Sequence, residues 1–121
     1  MMARTFLLIG ALAGVLGVAL GAFGAHGLRG RLSPDMASVF ETAVRYHMYH
    51  ALALVLVSTL MAHIDGWLML AAGWSFAIGI VLFSGSLYAL ALTGVGLLGA
   101  VTPIGGLAFV LGWAFLAIAA L

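Results

Sequence analysis

The sequence predicts an all-α fold, an integral membrane bundle of four antiparallel helices. Composition is the first reason for this prediction. The chain of 121 residues is 66% hydrophobic and 6% charged, with a mean hydropathy of +1.33. A soluble domain of this size could not cover so much apolar surface with four basic and three acidic side chains. The second reason is that four long apolar runs follow one another, as membrane-spanning helices require.

The first apolar run, at about residues 5–25, contains a regular series of glycines. Their spacing alternates between four and three residues, which places them on one face of a helix. In a bilayer the backbone must stay helical, and a bare glycine face lets a second helix approach closely. We therefore expect this face to dock the first helix on a neighbour. The glycine seam consists of Gly10, Gly14, Gly17, Gly21 and Gly24.

The remaining helix boundaries follow from capping residues and interfacial anchors. Ser33 can cap the second helix, Pro34 suits its first position and Asp35 complements the positive end of the helix dipole. Trp67 is an interfacial anchor at the start of the third helix, and Pro103 suits the first position of the fourth. The glycine-rich link before Pro103 carries no charge, so a partly re-entrant path through the membrane is one option for it. We expect one transmembrane domain over residues 1–121, with helices at about 5–25, 34–62, 67–92 and 103–121.

The arginines predict how the bundle is oriented. Three of them lie in or near the connection between the first two helices, and only Arg4 lies at the opposite end. Membrane proteins carry an excess of arginine and lysine on the cytoplasmic side, so this connection is expected in the cytoplasm and both termini outside. Arg4 before an apolar run also resembles a signal peptide, but the run is long enough to span and we expect a retained helix.

Composition also limits the chemistry. The chain has no cysteine, which excludes disulfides, thiolate metal sites and cysteine nucleophiles. Its few cations are not clustered on one solvated face, so no nucleic-acid partner is expected. No nucleophile elbow, phosphate-binding loop or pair of carboxylates is present. We therefore expect no catalytic residues, no metal and no cofactor.

Polar side chains gather at one end of the predicted bundle, which we call the polar end. The first two helices meet there, and antiparallel threading brings the later part of the third helix to the same level. A ligand or lipid would therefore bind at this end. The candidate binding residues are His26, Glu41, Arg45, Tyr46, His50, Ser84 and Tyr88.

Glu41 and Arg45 lie four residues apart in the favourable order, which predicts an ion pair on one helix face. Two interpretations are open. The pair can neutralise two charges beside lipid, or Arg45 can turn inward to hold an anionic headgroup while Glu41 orients it.

His50 lies about 20 Å along the axis from the far end of the second helix, within the hydrocarbon. An ionisable side chain at that depth is a functional candidate. One interpretation is a neutral imidazole bonded to a neighbouring helix, at Ser84, Ser86 or the backbone near His26. The alternatives are a proton relay or ligand contact, and a weak metal site shared with His47 or a haem site.

Trp74 and Trp113 lie deeper than interfacial tryptophans do. We expect both to pack in the core against small-residue faces, with ligand stacking as the alternative. The later helices also carry such faces, which favours a tight bundle with little room for a wide pore.

Four motifs occur in a fixed order along the chain: GAFGAHGL at 21–28, FETAVRYHMYHA at 40–51, FSGSLY at 83–88, and TPIGG at 102–106 followed by Gly112-Trp113. In these the chain resembles the small bacterial inner-membrane family catalogued as domain of unknown function 423, related to the eukaryotic transmembrane protein 256. The resemblance implies a four-helix protein of the bacterial inner, or plasma, membrane. It implies no particular activity.

Three classes of function remain. The leading one is a non-enzymatic structural or interaction protein that acts through helix packing, as a homo-oligomer or with a partner in a membrane complex. The alternative is a small transporter, channel, or lipid- or small-molecule-binding protein that uses the polar end. A membrane enzyme or cofactor protein is third. Membrane lipids are partners in every case, and we expect the glycine seam to hold His26 against Arg45, Tyr46 and His50.

Overall fold

A computed structural model describes all 121 residues, and every regular element in it is helical. This confirms the predicted all-α fold with four helices. The helices are α1 (Met2–His26), α2 (Pro34–Leu60), α3 (Trp67–Thr93) and α4 (Thr102–Ala119). Three segments are long and apolar enough to cross a membrane, namely α1, α3 and Gly96–Ala119, which contains α4.

The second helix, α2, differs from the others because it is long but less apolar. It carries Glu41 and Arg45 in its first half and His47 and His50 further along. It is one of the two inner helices, since eight of its residues and nine of α3 are buried, against three of α1 and four of α4. Glu41, Arg45, His47 and His50 therefore all lie on one of the two inner helices.

The four helices form two antiparallel hairpins. In the first, α1 packs along α2; in the second, α4 packs along α3; the hairpins join through α2 and α3. Helices α2 and α4 meet mainly through side chains, which leaves a groove between them with α3 behind it. This groove positions one of the sites described below.

The glycine seam docks α1 on α2, as its spacing predicts. A methyl group at Gly10 would lie 3.0 Å from the carbonyl oxygen of Ala51, and one at Gly24 would lie 2.6 Å from the ring of Phe40. The first distance is tight and involves the backbone of α2, so the two backbones approach closely at Gly10; the second is too short for a real side chain and shows that the Phe40 ring fills the space beside Gly24. Gly14 is the exception, with no atom within 4 Å of such a methyl group.

The second hairpin is closed by an equally close approach. The middle of α3 is a π-helical segment, Ile80–Ser84, with α-helix on both sides. Gly105 of α4 lies against this segment, and a methyl group there would overlap the backbone nitrogen of Phe83 and lie 2.7 Å from its Cα. Only glycine fits at this contact.

The main hydrophobic core lies away from the polar end. Phe6, Leu54, Met69 and Phe76, from α1, α2 and α3, are completely buried there and belong to one cluster. The polar end therefore lies next to a closely packed apolar core.

The connections match the capping residues in the sequence. The Ser33 hydroxyl accepts a hydrogen bond from the backbone N–H of Met36 at 3.2 Å, at the start of α2. Gly94 ends α3 in the left-handed conformation, with φ of 71°. The glycine-rich link before α4 forms a short 3₁₀ helix, Gly96–Ala100.

Candidate functional site

The residues expected at the polar end do not form one site. The structure separates them into an exposed ion pair, a buried polar layer between α2 and α3, and an aromatic groove between α2 and α4. The ion pair is Glu41 and Arg45, the layer includes Ser84 and Tyr88, the groove includes Tyr46 and His50, and His26 belongs to none of these.

Glu41 and Arg45 form the predicted ion pair on the outer face of α2. The Arg45 Nη2 donates to Glu41 Oε1 at 2.8 Å, and the side chains are 52% and 70% exposed, respectively. An exposed pair of this kind stabilises a helix by about 0.2–1 kcal/mol. The geometry is that of charges neutralised at the surface, with Arg45 directed outward.

His26 is exposed in the last turn of α1 and does not contact the hydrogen-bonded network of α2, α3 and α4. The glycine seam instead ends on Phe40. Phe40 lies against Gly24 on one side, and its ring centroid is 5.1 Å from that of Tyr88 on the other. The seam thus connects to the buried polar layer through an aromatic side chain.

A cleft of about 520 Å³ opens between the end of α1 and the start of α2; we call it the α1–α2 cleft. Its walls are largely glycine and apolar side chains, and its rim is charged. The residues used below are Gly21, Gly24, Phe40, Arg29, Ala37 and Glu41.

The buried polar layer consists of His47, Ser84 and Tyr88. The His47 Nδ1 lies 2.8 Å from the Tyr88 hydroxyl, and the Ser84 hydroxyl donates to the backbone carbonyl of Ala43 at 2.8 Å. His47 is only 4% exposed and Ser84 is fully buried. These bonds tie α3 to α2 inside the apolar bundle.

One buried nitrogen in this layer has no partner, the Nε2 of His47. When Tyr88 donates to Nδ1, the unpaired Nε2 carries a hydrogen; when Nδ1 donates, Nε2 presents a lone pair. Either form leaves this nitrogen without a partner at hydrogen-bond distance, and the backbone of Ala13 on α1 is a polar group near the ring. No group of three or more metal-binding side chains surrounds it.

His50 has both ring nitrogens engaged. Its Nδ1 donates to the backbone carbonyl of Tyr46 at 2.7 Å, and its Nε2 accepts from the indole N–H of Trp113 at 3.2 Å. A carbonyl can only accept and an indole can only donate, so the ring is a neutral imidazole with its hydrogen on Nδ1. The neutral, bonded interpretation matches this geometry, with partners other than the serines we expected.

His50 also forms part of the aromatic groove. Its ring stacks on Phe109 with centroids 3.5 Å apart and planes 7° apart. Phe83, from the π-helical segment of α3, lies 4.9 Å from Tyr46 and 5.3 Å from Phe109 by centroid distance. Together with Trp113 these rings enclose a groove of about 330 Å³ between α2 and α4.

Sequence reasoning missed two features of this groove. The sequence predicts core packing for Trp113, yet its indole N–H donates to His50 and the residue is 44% exposed. Its unusual depth was the only signal. Phe83 and Phe109 carried no signal, because a phenylalanine in an apolar helix is ordinary.

An all-helical bundle with many exposed apolar side chains and three segments long and apolar enough to cross a membrane defines a small multi-pass membrane protein. The chain belongs to the family described as protein of unknown function (DUF423), whose model matches residues 20–106. The match confirms the resemblance to this family that the four sequence motifs indicate.

Relatives match nearly the full length. The UPF0382 membrane protein YwdK of Bacillus subtilis is 48% identical over 118 residues, covering 97% of this chain and 96% of the relative. UPF0382 membrane proteins of Staphylococcus haemolyticus and Staphylococcus epidermidis are also 48% identical, covering 95% and 98% of this chain and 93% and 96% of the relatives. No solved structure matches. The relatives' names place the chain among membrane proteins and specify no chemistry.

Proposed function

We propose that this chain is a non-catalytic membrane protein that binds the headgroup region of an anionic phospholipid in the α1–α2 cleft. The observation that carries the proposal is the cleft itself, which combines an apolar floor with an arginine at its rim. An amphiphile has the matching division into an apolar part and a charged part. The packed core beneath supplies a rigid support.

The floor of the cleft exists because the glycine seam has no side chains. Gly24 of α1 lies against Phe40 of α2 and Gly21 lies against Val44, and these apolar side chains form a surface for the first carbons of an acyl chain. Larger residues at the two glycines would push Phe40 and Val44 aside and change this surface. The seam therefore serves packing and cleft formation together.

The charge at the rim favours an anion. Arg29 lines the cleft, and Arg31 follows in the same exposed connection. The carboxylate at the rim, Glu41, is already paired with Arg45, and this is the only ion pair in the chain. Arg29 and Arg31 are therefore free to contact a phosphate group.

The orientation is part of the proposal. With the polar end in the cytoplasm of a bacterium, the cleft faces the inner leaflet of the plasma membrane, where basic segments bind anionic lipids. Both termini then lie outside. A reporter fused after Leu121 that was active only inside the cell would contradict this orientation.

Lipid binding can be measured by native mass spectrometry of the purified protein with phosphatidylglycerol or phosphatidylcholine. We expect preferential retention of phosphatidylglycerol. Arg29→Gln and Arg31→Gln should each weaken it about fivefold, because a basic residue near an anionic surface contributes about 1 kcal/mol. Arg4→Gln, at the other end of the bundle, is the matched control.

A second variant tests the apolar floor. Ala37 lines the cleft and is exposed, so Ala37→Leu should narrow the cleft without disturbing the core. We expect reduced retention of phosphatidylglycerol with an unchanged unfolding midpoint. Equal retention of both lipids, or equal effects of Arg4→Gln and Arg29→Gln, would exclude the α1–α2 cleft as the binding site.

A structural role through helix packing is the second candidate, as a homo-oligomer or in a membrane complex. Most seam glycines are occupied inside the chain, but Gly14 faces open space in the middle of α1. A second helix could approach there. If this role holds, Gly14→Leu should change the oligomeric state measured by light scattering in mild detergent; a monomer before and after the substitution would remove its basis.

A further inference from the structure

We propose that the aromatic groove between α2 and α4 binds the ring of a lipid-soluble quinone, a planar conjugated ring with carbonyl oxygens and an apolar tail. This site is separate from the α1–α2 cleft, because the two share no lining residue. The binding involves no covalent or redox step. Shape, polarity and access each support it.

The shape of the groove suits a flat ring. The planes of three of its rings are close to parallel: His50 and Phe109 differ by 7°, Tyr46 and His50 by 16°, and Tyr46 and Phe109 by 23°. Aromatic rings attract one another best in offset-stacked or edge-to-face arrangements. His50 and Phe109 stack on each other and are each 4% exposed, so a planar ligand meets these two rings at their outer edges and stacks on the more exposed ring of Tyr46, whereas an acyl chain has no flat face to present.

Two tyrosine hydroxyls at the groove, those of Tyr46 and Tyr49, can donate a hydrogen bond to a ligand. Of the three tyrosines only Tyr88 uses its hydroxyl in a bond within the chain, so Tyr46 and Tyr49 retain theirs, with side chains 39% and 53% exposed. A hydroxyl without a partner is costly in hydrocarbon. The carbonyl oxygens of a quinone are acceptors of the required kind.

The polar groups of His50 and Trp113 are already hydrogen-bonded within the chain, which limits the kind of ligand that the groove can bind. His50 and Trp113 are bonded to each other, and the second nitrogen of His50 donates to the backbone. No carboxylate, lysine or arginine lines the groove. The ligand is therefore uncharged and is recognised by the two tyrosine hydroxyls.

The groove is open on the side that faces lipid. Val110 at its edge is 64% exposed, and Gly106 contributes no side chain to its wall. The wall from α3 includes Phe83, which belongs to the π-helical segment Ile80–Ser84. Such segments inside α-helices occur frequently at functional sites, and this one supplies an aromatic ring to the groove.

Tryptophan fluorescence tests the proposal, because Trp113 lines the groove, whereas Trp67, at the start of α3, packs on Phe115 and does not line it. Decylubiquinone is titrated into phosphatidylcholine nanodiscs that hold the full chain. Trp67→Phe with Trp74→Phe leaves Trp113, whose emission should be quenched saturably. Trp74→Phe with Trp113→Phe leaves Trp67, which should show only the gradual quenching caused by partition into lipid. Identical curves would overturn the proposal.

Two further variants in the single-Trp113 background locate the ligand. A methyl group at Gly106 would make only ordinary contacts, 3.7 Å from Phe83, so Gly106→Leu extends into the groove and should abolish saturation. Gly14→Leu makes the same change at an open position of α1 and should leave the titration unchanged. Saturation that persists in Gly106→Leu would place the quinone elsewhere and refute the assignment.

The hydroxyls are tested without altering the rings. Tyr46→Phe combined with Tyr49→Phe should raise the apparent Kd about tenfold, which corresponds to about 1.4 kcal/mol, because it removes two hydrogen bonds to the ligand. Decylbenzene, which has a ring and tail but no carbonyl, should not displace decylubiquinone. Equal displacement by decylbenzene, or an unchanged Kd in the double variant, would show a non-specific apolar groove and overturn the proposal.

Discussion

The contact between Gly105 and the π-helical segment of α3 provides the sharpest test of the fold. Gly105→Ala adds one methyl group where the backbone nitrogen of Phe83 already lies, with Phe83 Cα at 2.7 Å and the carbonyl carbon of Leu82 at 2.8 Å. These are backbone atoms and cannot move aside as the end of a flexible side chain can. The two helices must separate instead.

The size of the effect follows from the geometry. The separation must increase by about 1 Å before these contacts reach the usual carbon–carbon distance of about 3.5–4.0 Å. Over-packing of this kind costs about 1–3 kcal/mol. Gly106→Ala is the matched control, because its methyl group would lie 3.7 Å from the Phe83 ring and gains the same helix propensity. We expect Gly105→Ala to be less stable than Gly106→Ala by about 1–3 kcal/mol.

The assay is unfolding in mixed detergent micelles with increasing dodecyl sulfate, followed by far-ultraviolet circular dichroism. Trp113 fluorescence gives a second readout, because movement of α4 also stretches its hydrogen bond to His50. If the two alanine variants unfold at the same detergent fraction, the close approach of α3 and α4 at this level is wrong, and with it the wall of the aromatic groove.

Three further predictions concern the buried bonds. Trp113→Phe should destabilise the bundle by about 1–3 kcal/mol, because it leaves the Nε2 of His50 without a donor; a double-mutant cycle with His50→Phe in the same unfolding assay should show strong coupling. Tyr88→Phe should cost a similar amount by leaving both nitrogens of His47 unpaired, and adding His47→Leu should restore part of the loss, whereas simple additivity would contradict the bond. Gly24→Leu should push away both α1 and the ring of Phe40, which contacts Tyr88, so the tyrosine absorbance should shift. A change confined to the oligomeric state would show that the seam faces another subunit.

The sequence predicts the glycine contacts well, because their cause is local. Alternating spacings of three and four residues put a set of glycines on one helical face wherever the helix is placed, and α2 indeed lies against Gly10 and Gly24. The same holds for the pair of Glu41 and Arg45, whose atoms meet within one turn of one helix. Neither result needs knowledge of the neighbouring helices.

The partners of His50 could not be predicted in the same way. Its depth in α2 is evident from the sequence, and so is the need for a partner in hydrocarbon. Which helix supplies that partner depends on how α4 is rotated about its axis, and apolar helices with nearly uniform composition give little information on rotation. The partner proves to be Trp113, 63 residues further along the chain.

At the polar end, too, part of the arrangement follows from the sequence and part only from the tertiary structure. The sequence places seven polar or aromatic residues at one end of a bundle, because helix length and chain direction determine depth in the membrane. Only the tertiary structure separates them into a surface pair, a buried layer and an aromatic groove, because α2 presents a different face to solvent, to α3 and to α4.

By itself the sequence determined that this chain is a helical membrane protein, where its helices begin and at which end its polar groups lie. Those features depend on hydrophobicity, capping and spacing, all of which act within one helix. The tertiary structure decided which faces meet: it closed α3 on α4 at Gly105, left His47 with an unpaired nitrogen and opened the groove beside Tyr46. Contacts between helices depend on axial rotation and on close packing of particular side chains, which no periodicity within a single helix encodes.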